Sequence, residues 1–483
     1  MSSDAPMMDG QPNSQPEAQP HSQPSSQFDW RPQPAGQALV NELLATFLQK
    51  CPGAAVLAKR MQSDTGTRFH DWVDTIFVPG SPVLHQRLIE AGFSQRPVPG
   101  AREHFVHLGA MFPAVVFEPG ESRRVAIKVD FVADFLATWK LDHSIEGDPW
   151  SQFRRARAFA GDHAEMWVFE RHGYRGYEIA KADPARAIAA QRHIENFRKR
   201  RRDFGDDHAA DARGFEHAAV LADAAIHDLG RDWACELWFH SERDYWQRRC
   251  RAGRVQKSRQ DALGLGWANH DHHTYRSSRH CYTHLIAFLE RFGFTCREKF
   301  YAGHEAFWGA QVIEQPTAGI TIFADVDMSP DELLGDFPHR GFSSDVPGGK
   351  LGTIGLWCAL HGEAFLQAGM HHLECQFDWF GLTEQLAREA NVKMMDPFTT
   401  FPYLRQAFTE GERWQVAESR LQRVLSMGQI TQAQAEEFRT AGAMGSHLEN
   451  LERNDGFKGF NQQGVSDIIA RTDPRKHAAV KGA

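Results

Sequence analysis

The sequence predicts an α+β protein with two βαβββ modules, an inserted helical segment and a helical C-terminal region. The main observation is a pattern that occurs twice, about 200 residues apart, starting at Asp74 and again at Asp271. Each copy reads as a strand, an amphipathic helix that ends in Gly-Phe, and three further short strands. The second observation is that the stretches between and after the copies are highly charged and have helical periodicity.

The elements divide the chain into five regions. Residues 1–36 are rich in Gln, Pro and Ser and predict a disordered tail, because so few apolar residues cannot offset the entropy of ordering. Residues 37–147 contain two predicted helices and the first module, and residues 148–262 predict the helical insertion. Residues 263–382 contain the second module with additional strands. Residues 383–483 predict a helical region and a tail.

Composition excludes several classes of protein. The net charge of −8 argues against a nucleic-acid partner, which usually requires a basic surface. The seven cysteines are scattered without a CxxC pair, as expected of reduced thiols. No stretch approaches 18 consecutive apolar residues, so no membrane partner is predicted and the expected location is the cytoplasm.

The densest group of potential ligands is the segment Asn269–Arg276, at the start of the second module. Side chains alternate between the faces of a strand, so His270, His272 and Thr274 share one face. Neutral imidazole is the commonest ligand for borderline transition metals. The segment therefore indicates a metal site, although a chain with 25 histidines can also produce such a cluster by chance.

Glu314 is the second candidate, because it interrupts an otherwise apolar strand. A buried carboxylate needs a cation or a hydrogen-bond partner, so Glu314 is expected to be paired, metal-bound or exposed at the strand end. A weaker group is His372 with Glu374, which alternate on a later predicted strand. Asp325 and Asp327 could bind a metal or cap a turn.

The duplicated module resembles that of the vicinal oxygen chelate superfamily over about 140 residues. This resemblance implies that paired modules form an open barrel-like cup around one metal, with ligands from the first strands and a carboxylate from a late strand. A more specific likeness is to the iron-dependent 2-oxoadipate dioxygenase/decarboxylase family. His272, Thr274 and Arg276 match the strand that carries its second histidine, and Ile313-Glu314-Gln315 is similar to the run with its metal glutamate.

The sequence departs from that family at the first-module ligand. Alignment of the two copies places Thr75 opposite His272, and threonine is not a usual metal ligand. His70 is the nearest histidine and completes the predicted set of His70, His272 and Glu314. His104 and His107, on a later strand, are alternatives.

The resemblance implies a mononuclear metal-dependent enzyme, and more specifically an iron(II) dioxygenase that acts oxidatively on a 2-oxo acid. Another divalent metal, such as zinc or manganese, would fit the same ligands. Arg276 is the candidate for binding a substrate carboxylate, because its planar guanidinium matches that group. The alternative for Arg276 is a surface salt bridge.

Two other functions are compatible with the sequence. One is a non-catalytic small-molecule-binding protein on the same cup-shaped fold, since alignment of the copies places Thr75 and Phe117 of the first where the second has His272 and Glu314. The other is a scaffold for protein partners, based on the charged helices and the tail. The chain lacks glycine motifs for nucleotides and the GxSxG motif of serine hydrolases.

Overall fold

The fold consists of two mixed β-sheets connected by a helical segment. A computed structural model describes residues 30–181, 183–302, 307–342 and 349–479. Most of the predicted tail, residues 1–29, lies outside the described residues. Residues 30–36 belong to the fold, because Trp30 donates a hydrogen bond to Glu298 (3.0 Å) and the first helix begins at Pro34.

The first sheet has seven strands in the order β2-β3-β4-β1-β5-β7-β6. Its strands are β1 (Val73–Pro79), β2 (Ser94–Gln95), β3 (His104–Val106), β4 (Ala114–Glu118), β5 (Arg123–Lys128), β6 (Phe153–Gly161) and β7 (Ala164–Arg171).

The second sheet has nine strands, eight of them in the order β13-β14-β16-β12-β8-β11-β10-β9, with β15 paired to β16. Its strands are β8 (His270–Ser277), β9 (Thr295–Tyr301), β10 (Trp308–Gln315), β11 (Ile320–Asp327), β12 (His372–Gln376), β13 (Thr399–Phe401), β14 (Leu404–Phe408), β15 (Glu412–Trp414) and β16 (Ala443–Arg453).

The helices start at conventional capping residues in several cases, such as Ser81, Asp183 and Asp378, whose side chains accept backbone N–H groups. The helices are α1 (Pro34–Lys50), α2 (Pro52–Arg60), α3 (Pro82–Glu90), α4 (Val132–Trp139), α5 (Pro184–Lys199), α6 (His208–Leu229), α7 (Arg231–Arg248), α8 (Arg251–Asp261), α9 (Tyr282–Arg291), α10 (Pro330–Leu333), α11 (Phe337–Arg340), α12 (Thr353–His361), α13 (Trp379–Ala390), α14 (Glu418–Ser426), α15 (Gln432–Ala441) and α16 (Gln462–Arg471).

The α+β class, the two βαβββ modules and the helical insertion are confirmed. In the first module, β1 and α3 lead to β2, β3 and β4, and β4 returns parallel to β1. In the second module, β8 and α9 lead to β9, β10 and β11, and β11 returns parallel to β8. The strand equivalent to β10 is therefore β3, so the sequence alignment that placed Phe117 opposite Glu314 is one strand out of step.

Each module pairs with the unit that follows it in the chain. β5 runs antiparallel to β1, and its own unit closes with β7 parallel to β5. In the same way β12 runs antiparallel to β8, and its unit closes with β16 parallel to β12. Each sheet thus contains a pair of related units, and each predicted module is one half of a pair.

Three segments differ from the predicted elements. Residues 148–262 begin with the strands β6 and β7, and the helices occupy only α5 to α8. On β6, Arg155 and Arg157 pair with Glu146 and Glu165. Residues 383–483 contain β13 to β16 as well as helices. The apolar run 351–358, whose pattern predicts a strand, lies largely in the buried helix α12, because a short apolar run fits either structure.

The helical insertion covers one face of the second sheet. Buried residues of α5 to α8 pack with Tyr275, Leu373 and Leu448, which lie on three neighbouring strands. Because side chains alternate along a strand, the residues next to these three in sequence face the opposite side. That opposite face holds the candidate site.

None of the helices in the described part of the chain combines the length and apolar character needed to span a bilayer. All seven cysteines are free thiols, as the sequence predicts.

Candidate metal centre

Strand pairing brings four potential ligands together at the centre of the second sheet. His272 on β8 lies opposite Glu374 on β12, and Glu374 lies opposite Glu449 on β16. His372 lies two residues from Glu374 on the same face of β12. One ligand atom from each residue lies within 4.8 Å of the others, and all four side chains are buried.

His272 is oriented by a carboxylate. Its Nδ1 lies 2.8 Å from Oδ2 of Asp271, and both oxygens of Asp271 lie 3.2 Å from the guanidinium of Arg453. Burial raises the pKa of Asp271, but Arg453 and the hydrogen bond from His272 outweigh it and hold the pKa below its ordinary value. Asp271 is therefore an ionised acceptor, so Nδ1 carries the ring proton and Nε2 has a free lone pair.

That lone pair points into the cluster. Nε2 of His272 is in direct contact with Oε2 of Glu374. Burial lowers the pKa of His272 to about 4, so the ring is neutral near pH 7. A carboxylate that holds a histidine in this tautomer is the usual support for a metal-binding imidazole.

His372 presents its Nε2 to the same point. This atom lies 3.0 Å from Oε1 of Glu374, 3.4 Å from Oε2 of Glu449 and 2.8 Å from Oγ1 of Thr274. Burial lowers the pKa of His372 well below its ordinary value, so this ring is also neutral near pH 7.

The two glutamates lie close together in the buried cluster. Burial, followed by repulsion from Glu449, raises the pKa of Glu374, and burial raises that of Glu449 to about 7. Gln406 donates to Oε1 of Glu449 at 3.0 Å, whereas Oε2 of both glutamates has no hydrogen-bond partner among the described residues. Two imidazole nitrogens and carboxylate oxygens that converge without a cation are a donor set that fits a divalent transition metal.

The raised pKa values predict the pH dependence of stability without metal. A carboxyl group with a folded pKa above its unfolded value of about 4.5 destabilises the fold as pH rises toward 7. We therefore expect metal-free Glu449→Gln to gain stability relative to the wild type between pH 5 and about pH 7.5, measured by urea unfolding. Histidines that lie away from Glu449 contribute equally to both proteins, so their contributions cancel in this difference.

The exposed Glu216 supplies the control, because Glu216→Gln is expected to show no such trend. A difference between Glu449→Gln and the wild type that stays constant with pH would contradict the raised pKa. Metal affinity is expected to change in the opposite sense and to increase with pH, since the glutamates must lose their protons to bind a cation.

The corresponding position of the first sheet holds no such set. Thr75 lies opposite Ala126, and Ala126 lies opposite Trp167. Thr75 Oγ1 donates to Asp74 (2.6 Å) and lies 2.8 Å from the Tyr177 hydroxyl. The first sheet therefore cannot provide an equivalent metal centre.

His70 and Glu314 lie outside the four-residue cluster. Together with His272 they line a cavity of about 550 Å³ between the two sheets. Nε2 of His70 lies 3.3 Å from Asp71, and Glu314 lies 3.3 Å from Nζ of Lys458 and 3.5 Å from Arg297. The predicted set of His70, His272 and Glu314 shares His272 with the cluster and stays a prediction.

The alternative first-module histidines have other surroundings. Nδ1 of His104 lies 2.7 Å from the backbone oxygen of Arg96. His107 packs edge-on against Phe93 and Phe112, each with ring centroids 5.5 Å away. Neither histidine joins a group of ligands in the described part of the chain.

Arg276 lies on the same face of β8 as His272 and is 1% exposed. None of its three guanidinium nitrogens has a hydrogen-bond partner among the described residues. Burial lowers the pKa of Arg276 to about 10 and raises that of Asp325, opposite it on β11, to about 8. Arg276 is thus a buried cation with unused donors, and a surface salt bridge is excluded for it.

Asp327 accepts hydrogen bonds from the backbone of Gly352, Ile354 and Gly355 (2.8–3.1 Å) at the start of α12. This is the capping role that the sequence allowed.

Sequence reasoning missed the importance of two residues. His372 was visible as part of a weaker group with Glu374, but nothing in its spacing placed it beside His272. Glu449 falls in a region predicted to be helical. The signal that could have revealed Glu449 is a further unit after the second module, whose last strand carries this carboxylate.

No protein-family model and no curated protein sequence matches the chain. Among solved structures, it is similar to a glyoxalase superfamily protein from Ralstonia eutropha, with 12% identity, a TM-score of 0.30 and coverage of 57% of this chain and 97% of that one.

A variant of 4-hydroxymandelate synthase from Streptomyces coelicolor has 14% identity and a TM-score of 0.26, covering 72% of this chain and 95% of that one. A xylose isomerase-like TIM barrel/4-hydroxyphenylpyruvate dioxygenase fusion protein has 11% identity and a TM-score of 0.24, covering 89% and 58%. These values are low, so the metal-site hypothesis depends on the residues of this chain. Each sheet is built from two consecutive units that begin with a strand and a helix, and in each unit the last strand returns parallel to the first.

Proposed function

We propose that the protein is a mononuclear metal-dependent enzyme in which His272, His372 and Glu449 bind the metal. The observation that carries the proposal is the buried convergence of two neutral imidazole nitrogens and unpaired carboxylate oxygens on three adjacent strands. Two histidines and one carboxylate with open positions are the ligand set of non-haem iron(II) oxygenases. The positions also agree with the family resemblance, which implies ligands on the first strands and on a late strand.

We further propose iron(II) as the metal and a 2-oxo acid as the substrate. Bound iron(II) would supply the activation of O₂ and the coordination of the 2-oxo acid. The residues of the chain would orient these reactants and exclude water. Phe398, Phe408 and Ile468 line a cavity of about 20 Å³ beside the cluster, and this apolar surrounding protects reactive species from water.

Three neighbouring residues have supporting roles in this proposal. Asp271 fixes His272 in the tautomer that exposes Nε2. Glu374 contacts both imidazoles and can hold a proton on its carboxylate next to the substrate. Arg276 has all its guanidinium donors free to bind a substrate carboxylate.

Anaerobic reconstitution with iron(II) tests the proposal. We expect one iron per chain by elemental analysis, and oxygen uptake that requires a 2-oxo acid from a panel of such acids. Arg276→Met should keep the iron but raise KM by about tenfold or more, because a charged hydrogen bond contributes about 1.5–3 kcal/mol.

A wild-type protein that retains only trace metal after reconstitution would refute the enzyme proposal. Thermal stabilisation by 2-oxo acids that is the same with and without metal would instead favour the non-catalytic binding protein. The His70, His272 and Glu314 set is the competing proposal for the ligands.

A further inference from the structure

The cavity of about 550 Å³ lies where the two sheets meet. The first sheet contributes the start of β1, with Thr75, and the end of β5, with Lys128. The second sheet contributes the start of β8, with His270 and His272, and the end of β10. This volume is typical of a site for a small organic molecule. We call it the intersheet chamber.

Only a layer of aromatic rings separates the intersheet chamber from the metal cluster. His272, Phe323 and Phe460 line both the chamber and the 20 Å³ cavity beside the cluster. The ring centroids of His272 and Phe323 are 4.4 Å apart, and those of Phe323 and Phe460 are 5.0 Å apart. The small cavity holds about one water molecule, so a ligand with an aromatic body would have to lie in the chamber.

The lining of the chamber has an excess of positive charge. Most of its charged side chains are paired: Arg171 with Asp74 (2.9 Å), Arg453 with Asp271 (3.2 Å), and both Lys458 and Arg297 with Glu314.

Lys128 and Arg175 also line the chamber, and neither forms an ion pair with a carboxylate in the part of the chain that the structure describes. Arg175 donates instead to the backbone oxygens of Pro316 and Thr317 (2.9–3.1 Å). Lys128 is half-buried, and burial lowers the pKa of its amine. Glu236 attracts this amine and Arg243 repels it, and neither of these two side chains lines the chamber. Among the described residues no carboxylate that lines the chamber forms an ion pair with the half-buried amine, so the amine can contact an anion there.

The lining also has an apolar, partly aromatic part. It includes Val40, Trp72, Val106, Met111, Phe112 and Phe323. A ligand that fits both the cationic and the apolar part of the lining has one anionic group and an apolar body.

We propose that the intersheet chamber binds a small organic carboxylate whose anionic group contacts Lys128 and whose apolar body packs against the aromatic lining. Binding of this ligand does not require the metal. This ligand is a second carboxylate, separate from the 2-oxo acid of the proposed function, because Arg276, to which the carboxylate of that acid is assigned, does not line the chamber.

Calorimetry on the chelator-treated full chain tests the binding. The probes are phenylacetate and its neutral isostere phenylacetamide, which differ in charge but little in shape. We expect phenylacetate to bind, and we expect the neutral amide to bind at least about tenfold more weakly. Lys128→Gln should weaken phenylacetate binding by the same factor, Lys128→Arg should restore it, and Lys59→Gln, at an exposed lysine, should leave it unchanged.

Equal binding of the amide, or wild-type binding by Lys128→Gln, would overturn the proposal. So would a lack of binding by phenylacetate, benzoate and 4-phenylbutyrate alike. The metal proposal can be tested independently of the chamber, because His372→Ala removes a proposed metal ligand but leaves the chamber intact. Phenylacetate binding by His372→Ala would support the chamber even if no variant binds iron.

Discussion

Replacement of His372 by alanine is expected to abolish stable metal binding, while replacement of His70 leaves it intact. His372 presents Nε2 to the two glutamates, whereas His70 lies outside their cluster and contacts Asp71 at 3.3 Å. Loss of a residue that merely supports a ligand lowers metal affinity about 10–100-fold, so loss of a ligand should lower it by at least about 100-fold. Glu449→Gln is expected to behave like His372→Ala, and Glu314→Gln like His70→Ala.

Two measurements check this expectation. Elemental analysis after reconstitution and desalting gives the metal content of each variant. Thermal unfolding with and without iron(II) or zinc(II) gives an independent value, because a ligand at about 100 times its Kd stabilises a protein by about 2.7 kcal/mol. We expect this stabilisation in the wild type, His70→Ala and Glu314→Gln, and its loss in His372→Ala and Glu449→Gln.

The opposite result would assign the metal to a different site. If His70→Ala and Glu314→Gln lose the metal while His372→Ala keeps it, the ion lies in the intersheet chamber with the ligand set that the sequence predicts. His272→Ala should lose the metal in both cases, since His272 belongs to both sets. Circular dichroism of the metal-free variants verifies that each is folded.

The repeated modules could be predicted from sequence because their strands and helices are apolar and regularly spaced. In both copies one strand precedes the helix and short strands follow it. The helix ends at Gly92-Phe93 in the first copy and at Gly293-Phe294 in the second. The second unit of each sheet could not be recognised in the same way. β5 follows β4 after a short turn and reads as the last strand of the first module, and only long-range pairing shows that it starts a new unit.

β16 was misread for a reason that lies in the site itself. The face of β16 that holds Leu451 also carries His447, Glu449 and Arg453, all buried, so it does not show an apolar alternation. A strand that supplies polar groups to a buried centre breaks the pattern on which sequence prediction depends. The same applies to His372 and Glu374, since spacing along the chain does not reveal which of 25 histidines converge in space.

Replacement of Arg453 by methionine is expected to destabilise the protein by about 3–5 kcal/mol, because it leaves a buried charge without its partner. Asp271 and Arg453 are 8% and 7% exposed, and two of the guanidinium nitrogens lie 3.2 Å from the carboxylate oxygens. Nη1 of Arg453 also donates to the backbone oxygens of Phe457 (3.2 Å) and Gly459 (2.5 Å), so these carbonyls lose a donor as well. Urea unfolding of the metal-free protein at pH 7 measures the effect.

The same substitution should weaken metal binding through His272. Without Arg453, the pKa of Asp271 rises, and a protonated Asp271 no longer requires a proton on Nδ1 of His272. The tautomer that exposes Nε2 then loses its support, and we expect metal affinity to fall about 10–100-fold. Asp271→Asn should produce a loss of similar size by the same route.

A double-mutant cycle separates the charge effect from lost packing. Adding Asp271→Asn to Arg453→Met removes the unpaired carboxylate, so the double variant should be more stable than Arg453→Met alone. The loss in Arg453→Met should also shrink toward acid pH. In the wild type the lowered pKa of Asp271 stabilises the fold above the unfolded pKa of about 3.9, and this contribution disappears as pH falls.

Arg192 provides the surface control, since its ion pair with Asp228 (2.7 Å) is largely exposed. Arg192→Met is expected to lower stability by less than about 1 kcal/mol. If Arg453→Met costs no more than this control, or if the double variant is less stable than Arg453→Met by the full effect of Asp271→Asn alone, Asp271 and Arg453 are not coupled. The carboxylate that orients His272 would then need no partner, and the support proposed for the metal ligand would be wrong.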